Sequence, residues 1–326
     1  MPDRFTVLIA DFLEEDSIET AVLGDIATLV KAHARDEAEL LPHVDSADAM
    51  ILFHDISRIG EPTFSRATHC RCVVRAGVGF NNVDVESATR HGVQVCNVPD
   101  YGTEEVADHA IMFLLALARK LVSTHAAIRA GAWDYRLATG SPRLRGKTLG
   151  LVGCGRIGTA TALRAQAFGL DVVVHDPYIP NGIEKALGVR RVHQLGELLE
   201  QSHFVSLHCY LNEETHHLLN AASIARMRPG TLLINTARGP VVEENALLDA
   251  LDSGRIAAAG LDVVEVEPLA DERIRQHPNI LLTPHTAFYS VEGYVELRTK
   301  TAQEVRRLLL GEPPRNPVNR IGGTTR

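Results

Sequence analysis

Short apolar runs alternate with polar, helix-compatible stretches along the first hundred residues. Phe5–Ala10, Ala49–Phe53, Arg71–Arg75 and Gly92–Val95 read as strands. Ser17–Leu23, Glu37–Leu41, Thr63–Ala67 and Val85–His91 fit the helices between them. Such alternation predicts a parallel sheet covered by helices on both faces. Thr103–Ala130 then reads as one long helix. Thr103 caps it, Glu104 and Glu105 suit its positive end, and Ala110–Arg119 lacks Gly and Pro. Gly131 and Gly140-Ser141-Pro142 close it. The alternation resumes more sharply: six runs, Thr148–Val152, Asp171–His175, Phe204–His208, Thr231–Asn235, Ala257–Asp262 and Ile280–Thr283, read as strands. Helices are expected between them at Arg156–Phe168, Gly196–Gln201, Ala221–Arg226 and Asn245–Ser253. Six strands make a full dinucleotide-binding sheet. Val291–Leu310 is a closing helix, and Pro313–Pro317 is read as leading the chain away.

The turn after Thr148–Val152 is Gly153-Cys154-Gly155-Arg156-Ile157-Gly158, a G-x-G-x-x-G pattern between strand and helix. Alone the pattern is weak. Here an acidic residue, Asp176, stands 18 residues beyond the last glycine, at the end of the next strand. Gly153 makes the tight turn, Gly155 lets the backbone approach a pyrophosphate, and Gly158 allows close helix–strand packing. The helix N-terminus offers unpaired N–H groups to phosphates. Asp176 is expected to accept hydrogen bonds from ribose hydroxyls and to repel a 2′-phosphate, so the expected cofactor is NAD rather than NADP.

Three polar residues follow the ends of successive late strands: Arg238, Glu267 and His285. Ligands of open α/β sheets bind beyond the carboxyl ends of strands, which puts these three near the cofactor. Together they form a chemical set. An Arg grips a carboxylate with a two-pronged fork, a His passes a proton near neutral pH, and a Glu beside it orients the ring and favours its charged form.

The stretches Arg75–Asp84 (RAGVGFNNVD), Gly153–Gly158, Asn235–Gly239 (NTARG), Gly260–Pro268 (GLDVVEVEP) and Thr283–Ser290 (TPHTAFYS) resemble the D-isomer-specific 2-hydroxyacid dehydrogenases over nearly the whole chain. Leu207–Leu219, Asp176-Pro177-Tyr178 and Tyr289-Ser290 are most similar to the branch containing the C-terminal-binding-protein corepressors. The resemblance implies an α/β fold of two doubly wound parallel-sheet domains with a cleft between them. A discontinuous, flavodoxin-like substrate-binding domain would comprise residues 1–100 plus 290–326. A Rossmann NAD-binding domain would comprise 101–289. It further implies that Arg238 grips the substrate, that His285 is the acid–base group, and that Glu267 is its partner. Backbone N–H groups of Ala76, Gly77, Val78 and Gly79 would cradle the substrate carboxylate. Arg156 and Ile157 would meet the pyrophosphate, Asp262 the nicotinamide carboxamide, and Thr236 and Ala237 would line the cofactor. Phe53, His54, Tyr101, Tyr210 and Tyr289 are candidates to shape the pocket. His54 stands where phosphoglycerate dehydrogenases commonly carry an Arg, which disfavours a phosphorylated substrate.

The function so implied is NAD-dependent interconversion of a 2-oxo acid and a D-2-hydroxy acid. The alternative is an NAD(H)-responsive, corepressor-like scaffold with little turnover. The absence of long partner-recruiting tails favours the enzyme. Composition narrows the partners further. Lys plus Arg total 33 against 41 Asp plus Glu, a formal charge of −8, which argues against nucleic acid and anionic membranes as partners. The longest apolar run, Ala110–Ala118, has nine residues where a membrane span needs about 20. No signal peptide is expected ahead of the first strand, and five cysteines do not make a disulfide framework, so a cytoplasmic location is the expectation. No metal is expected: His208, His216 and His217 lack a completing Cys or carboxylate set. Ala110–Ala118 offers more apolar surface than one sheet face covers, which points to a homodimer.

Overall fold

The computed structural model describes residues 4–11 and 13–321. Met1, Pro2 and Asp3, read above as leading straight into a strand, lie outside the described residues. The chain divides into two compact units, Met1–Gly102 with Ser290–Arg326, and Thr103–Tyr289.

The first unit is built on five parallel strands: β1 (Phe5–Ile9), β2 (Ala27–Lys31), β3 (Ala49–Leu52), β4 (Cys72–Arg75) and β5 (Gln94–Asn97). Their order is β2-β1-β3-β4-β5, the flavodoxin-like arrangement. Sequence reading missed β2. Its Thr28 is exposed and Leu29, Val30 and Lys31 are only part-buried, so ATLVK lacks the continuous apolar run of a central strand. All four residues of β3 and of β4 are buried. Leu8, Met50, Leu52, Phe64, Val73 and Val95 pack together in this unit's core. The helix Val291–Leu309 packs on β3 and β4 and against the helix Ser17–Leu23. Arg298 fastens the two helices with paired bonds to Glu19 at 2.9 and 2.6 Å, both side chains buried. Removing one partner of such a pair leaves an uncompensated buried charge and costs roughly 3–5 kcal/mol. Beyond this helix the chain does not lead away. Val318 N donates to Val95 O, and Asn319 Oδ1 accepts from Val95 N and from the Gln94 amide, which covers the edge of β5.

The second unit has seven parallel strands: β6 (Thr148–Val152), β7 (Asp171–His175), β8 (Arg190–Arg191), β9 (Phe204–Leu207), β10 (Thr231–Asn235), β11 (Ile256–Leu261) and β12 (Ile280–Leu282). Their order, β12-β11-β10-β9-β6-β7-β8, is a Rossmann sheet with one added edge strand. The topological reversal lies between β6 and β9. β8, only two residues long, went unread in the sequence. On one face Phe113, Leu114, Leu149, Leu151, Val174 and Ile234 cluster; on the other Leu198, Val205, Leu207, Leu233 and Leu247 do. The expected single helix Thr103–Ala130 is instead two, Thr103–Ala118 and Leu121–Arg129, bent by 58°. Lys120 makes the break, with a left-handed φ of 51°. Its ammonium bonds to Thr139 O at 2.6 Å, which gives that conformation a local anchor. Among the described residues no single helix is long and apolar enough to cross a membrane.

Candidate active site

β6 ends at Val152, and Gly153 turns the chain with φ of 94°. A side chain there would stand 2.6 Å from the His208 carbonyl group, so the close approach of the β6 and β9 ends requires glycine. At Gly158 a Cβ would meet Gly153 O at 2.3 Å, which is the tight loop–helix packing expected of the third glycine. Gly155 differs: nothing lies within 4 Å of its Cβ position. It opens the helix Arg156–Ala167, whose first intrahelical bond runs from Thr159 N to Gly155 O. The N–H groups of Arg156, Ile157 and Gly158 precede that bond and aim outward at the helix's positive end. The Asp176 carboxylate is held close by, accepting from Cys154 N at 2.8 Å and from Tyr178 N at 2.9 Å.

Beneath this loop His208 is half-buried, and the desolvation of its ring pushes the imidazole down to about 4. Nε2 lies 2.9 Å from Ser206 Oγ, while Nδ1 has no partner among the described residues. His216 stacks on His217, whose Nε2 lies 3.0 Å from Glu265 Oε1.

At the end of β10 Asn235 shapes the next turn. Its Oδ1 accepts from Ala237 N and its amide donates to Arg238 O. Thr236 and Ala237 are nearly buried, and Thr236 Oγ1 has no hydrogen-bond partner among the described residues. Gly239 lets this turn touch the next loop, because a Cβ there would fall 1.9 Å from the Val264 carbonyl group. Arg238 is thereby placed so that its charge acts on Glu267. Glu267 Oε2 lies 2.7 Å from His285 Nδ1. Burial pushes the Glu267 carboxyl up, but the hydrogen bond and charge of His285, aided by Arg238, outweigh it and hold the group below the usual glutamate range. The structure thus brings Arg238, Glu267 and His285 together.

His285 has a φ of 55°, a conformation that residues other than glycine rarely adopt. The surroundings fix it. His285 N donates to Asp262 O at 2.8 Å, and the Asp262 carboxylate accepts from Thr286 N, Ala287 N and the Thr283 hydroxyl. This side chain, expected at the cofactor carboxamide, is 1 % exposed and engaged with the turn that carries His285.

In the first unit, the turn after β4 departs from expectation at one position. Ala76 N donates to Leu52 O at 2.8 Å and is committed to the sheet. The N–H groups of Gly77, Val78 and Gly79 make no hydrogen bond among the described residues. Gly77 has φ of 149°, and a Cβ there would overlap the Arg75 guanidinium. Phe53 and Tyr101 are buried, whereas Tyr210 and Tyr289 are exposed.

The family model for the D-isomer specific 2-hydroxyacid dehydrogenase NAD binding domain matches residues 111–287, more than half of the chain. The chain belongs to the D-isomer-specific 2-hydroxyacid dehydrogenases. It is 35% identical over 315 residues to a D-3-phosphoglycerate dehydrogenase of Bacillus subtilis (strain 168), covering 97% of this chain. It spans 59% of that relative's length. The solved TT0316 protein from Thermus thermophilus is 34% identical with a TM-score of 0.86, covering 97% of this chain and 100% of that one. A D-lactate dehydrogenase from Aquifex aeolicus, solved with NAD and lactic acid, is 27% identical with a TM-score of 0.87, covering 98% and 100%.

The second unit of this 2-hydroxyacid dehydrogenase family member therefore carries the family's NAD-binding domain, and its residues fit the cofactor. The open space at Gly155, the outward helix amides and the buried, unsatisfied Thr236 hydroxyl would each accept a dinucleotide. Sequence reasoning missed Asn235, Ser206, His109 and Thr283, whose side chains bond to the site's turns and to its other side chains. A histidine at the head of the apolar run Ala110–Ala118 was the available signal for His109.

Proposed function

We propose that this protein interconverts a 2-oxo acid and a D-2-hydroxy acid with NAD, using His285 as acid–base group. The observation that carries the reading is the 2.7 Å bond between His285 Nδ1 and Glu267, with Arg238 acting on the same carboxylate. NAD, when bound, supplies or accepts the hydride. With Nδ1 committed to Glu267, exchange of the substrate proton falls to Nε2. The Arg238 guanidinium binds the substrate carboxylate and offsets negative charge growing on the carbonyl oxygen. Within the first unit, the unbonded N–H groups of Gly77, Val78 and Gly79 suit a carboxylate as an anion nest, a role that Ala76 does not share.

The substrate class is an unphosphorylated 2-oxo acid. His54 stands after β3 beside Asp55, at 3.5 Å, and supplies no fixed positive fork for a phosphate. The assembly is a homodimer of this chain. Leu121, Val122, Ile128, Trp133 and Tyr135 lie exposed in one stretch of the NAD-binding unit, and a second copy covers them.

The test is a panel of pyruvate, glyoxylate, hydroxypyruvate, phenylpyruvate, branched 2-oxo acids and 3-phosphohydroxypyruvate with NADH, followed by absorbance. Turnover of unphosphorylated acids is expected. Tight NADH binding with negligible turnover across the panel would instead identify a cofactor-responsive scaffold.

A further inference from the structure

Outside the Arg238–Glu267–His285 set, a directed chain of hydrogen bonds crosses the NAD-binding unit. His109, on the helix Thr103–Ala118, places Nε2 3.0 Å from Thr283 Oγ1. Thr283 Oγ1 lies 2.5 Å from Asp262 Oδ1. Both Asp262 oxygens accept backbone N–H bonds, Oδ1 from Thr286 at 2.8 Å and Oδ2 from Ala287 at 3.0 Å. The carboxylate therefore takes the proton of the Thr283 contact rather than giving one. Thr283 Oγ1, having donated its hydrogen, accepts from His109 Nε2–H. The direction of every bond is fixed, from helix to hydroxyl to carboxylate.

The carboxylate at the end of this chain brackets His285. Thr286 and Ala287, the next two residues, are tied to its oxygens, and His285 N is tied to its main-chain oxygen. These bonds hold the acid–base residue at φ of 55°. The imidazole of His109 is itself fixed. Its ring meets Phe113 edge-on at 4.7 Å, and Phe113 fills the space above Gly260 on β11, where a Cβ would come within 2.7 Å. The His109 side chain is 15 % exposed. Burial lowers its affinity for a second proton, against the opposing pull of Asp262 3.8 Å away. A neutral ring with its hydrogen on Nε2 is the form this chain requires.

We propose that His109 is a positioning residue for the reaction, orienting the His285 turn through Thr283 and Asp262. It touches neither substrate nor reacting atoms. This inference rests on the reading of His285 as acid–base group, and its test separates the two.

The variants are His109→Phe, which keeps an aromatic ring and removes the donor, and His109→Gln, whose Nε2 carries a donor at similar reach. Four quantities are measured on the full chain: kcat for the preferred 2-oxo acid, its primary isotope effect, NADH Kd, and the downfield proton resonance of the His285 Nδ1–Glu267 bond. That resonance is assigned by its loss in Glu267→Gln. His109→Phe is expected to lower kcat about tenfold, to broaden the resonance by exchange, and to raise the primary isotope effect with NADH deuterated at the transferred position. NADH Kd should stay within about twofold, which shows the variant folded. His109→Gln should recover kcat to within about threefold and restore the resonance. Wild-type resonance and kcat in His109→Phe would overturn the proposal, and so would equal losses in the Gln variant. If wild type turns over no 2-oxo acid, the resonance alone decides the positioning role while the functional reading fails.

Discussion

His285 Nδ1 and Glu267 Oε2 are 2.7 Å apart, joining a turn held by Asp262 to a loop that Gly239 allows to approach Arg238. The bond and the histidine's charge hold the Glu267 carboxyl below its usual range despite burial, so the group that faces His285 is a carboxylate. Reduction consumes the ring proton, so kcat/KM for the 2-oxo acid should fall at alkaline pH, where oxidation of the hydroxy acid gains. Glu267→Gln removes the carboxylate that orients the ring and should lower kcat in both directions with NADH binding intact. His285→Ala should lower kcat by roughly 100- to 10,000-fold. Rates in both directions check this, and an unchanged kcat in Glu267→Gln would show that the carboxylate does not orient the ring.

Cofactor choice turns on Asp176. Its carboxylate is pinned by Cys154 N and Tyr178 N beside the glycine loop and cannot swing away without losing both bonds. A 2′-phosphate at the ribose, with its charge of about −2, would meet this fixed negative charge at a cost of about 2 kcal/mol even in water, more than about tenfold in kcat/KM. NADH should therefore be preferred over NADPH by at least about tenfold, and Asp176→Ser should shrink the ratio. A wild-type preference for NADPH would refute the assignment.

The glycine loop and the proposed acid–base set were legible because both follow from local rules. Glycines at fixed spacing between strand and helix, and polar residues in the loops that follow successive strands, announce themselves in one dimension. β2, with its three part-buried residues, and the two-residue β8 did not, since edge strands need neither full burial nor length. Lys120 carries no sequence mark of a left-handed break, so the bend between Thr103–Ala118 and Leu121–Arg129 was invisible. Ala76 read as an anion-binding amide because the motif includes it, yet parallel pairing of β3 with β4 commits its N–H to Leu52. The bonds from His109 through Thr283 to Asp262 join residues far apart in the chain, and only the folded sheet reveals them.

Trp133 is 87 % and Tyr135 90 % exposed, close in sequence to exposed Leu121, Val122 and Ile128. So much aromatic and aliphatic surface in one stretch is unusual for an isolated chain. Light scattering at micromolar concentration should give a dimer. The double variant Trp133→Ser with Leu121→Ser should raise the dimer dissociation constant by at least about tenfold. A monomeric wild type would exclude the homodimer.

Asp11 supplies a pH signature independent of catalysis. Its fully buried carboxylate accepts from Phe53 N at 3.1 Å, Asp55 N at 2.9 Å and Ile56 N at 3.2 Å, while the Asn82 amide holds Phe53 O and Ile56 O. Burial, aided by the charge of Asp55, pushes its carboxyl up to about 6 against the opposing pull of the three N–H groups. A value raised on folding means that the native state binds the proton more tightly than the unfolded chain. The stability this group contributes is then fully present below its ordinary value of 3.8 and is lost as pH rises through about 6. The difference between 3.8 and about 6 corresponds to about 3 kcal/mol across that window. Asp11→Asn does not titrate, and its altered hydrogen bonding adds a cost that is constant with pH. Urea unfolding of both proteins from about pH 4 to about pH 7 should show the wild-type advantage shrinking by up to about 3 kcal/mol as pH rises. A difference that stays level across the window would mean that Asp11 is ionised throughout, with the three N–H bonds outweighing its burial.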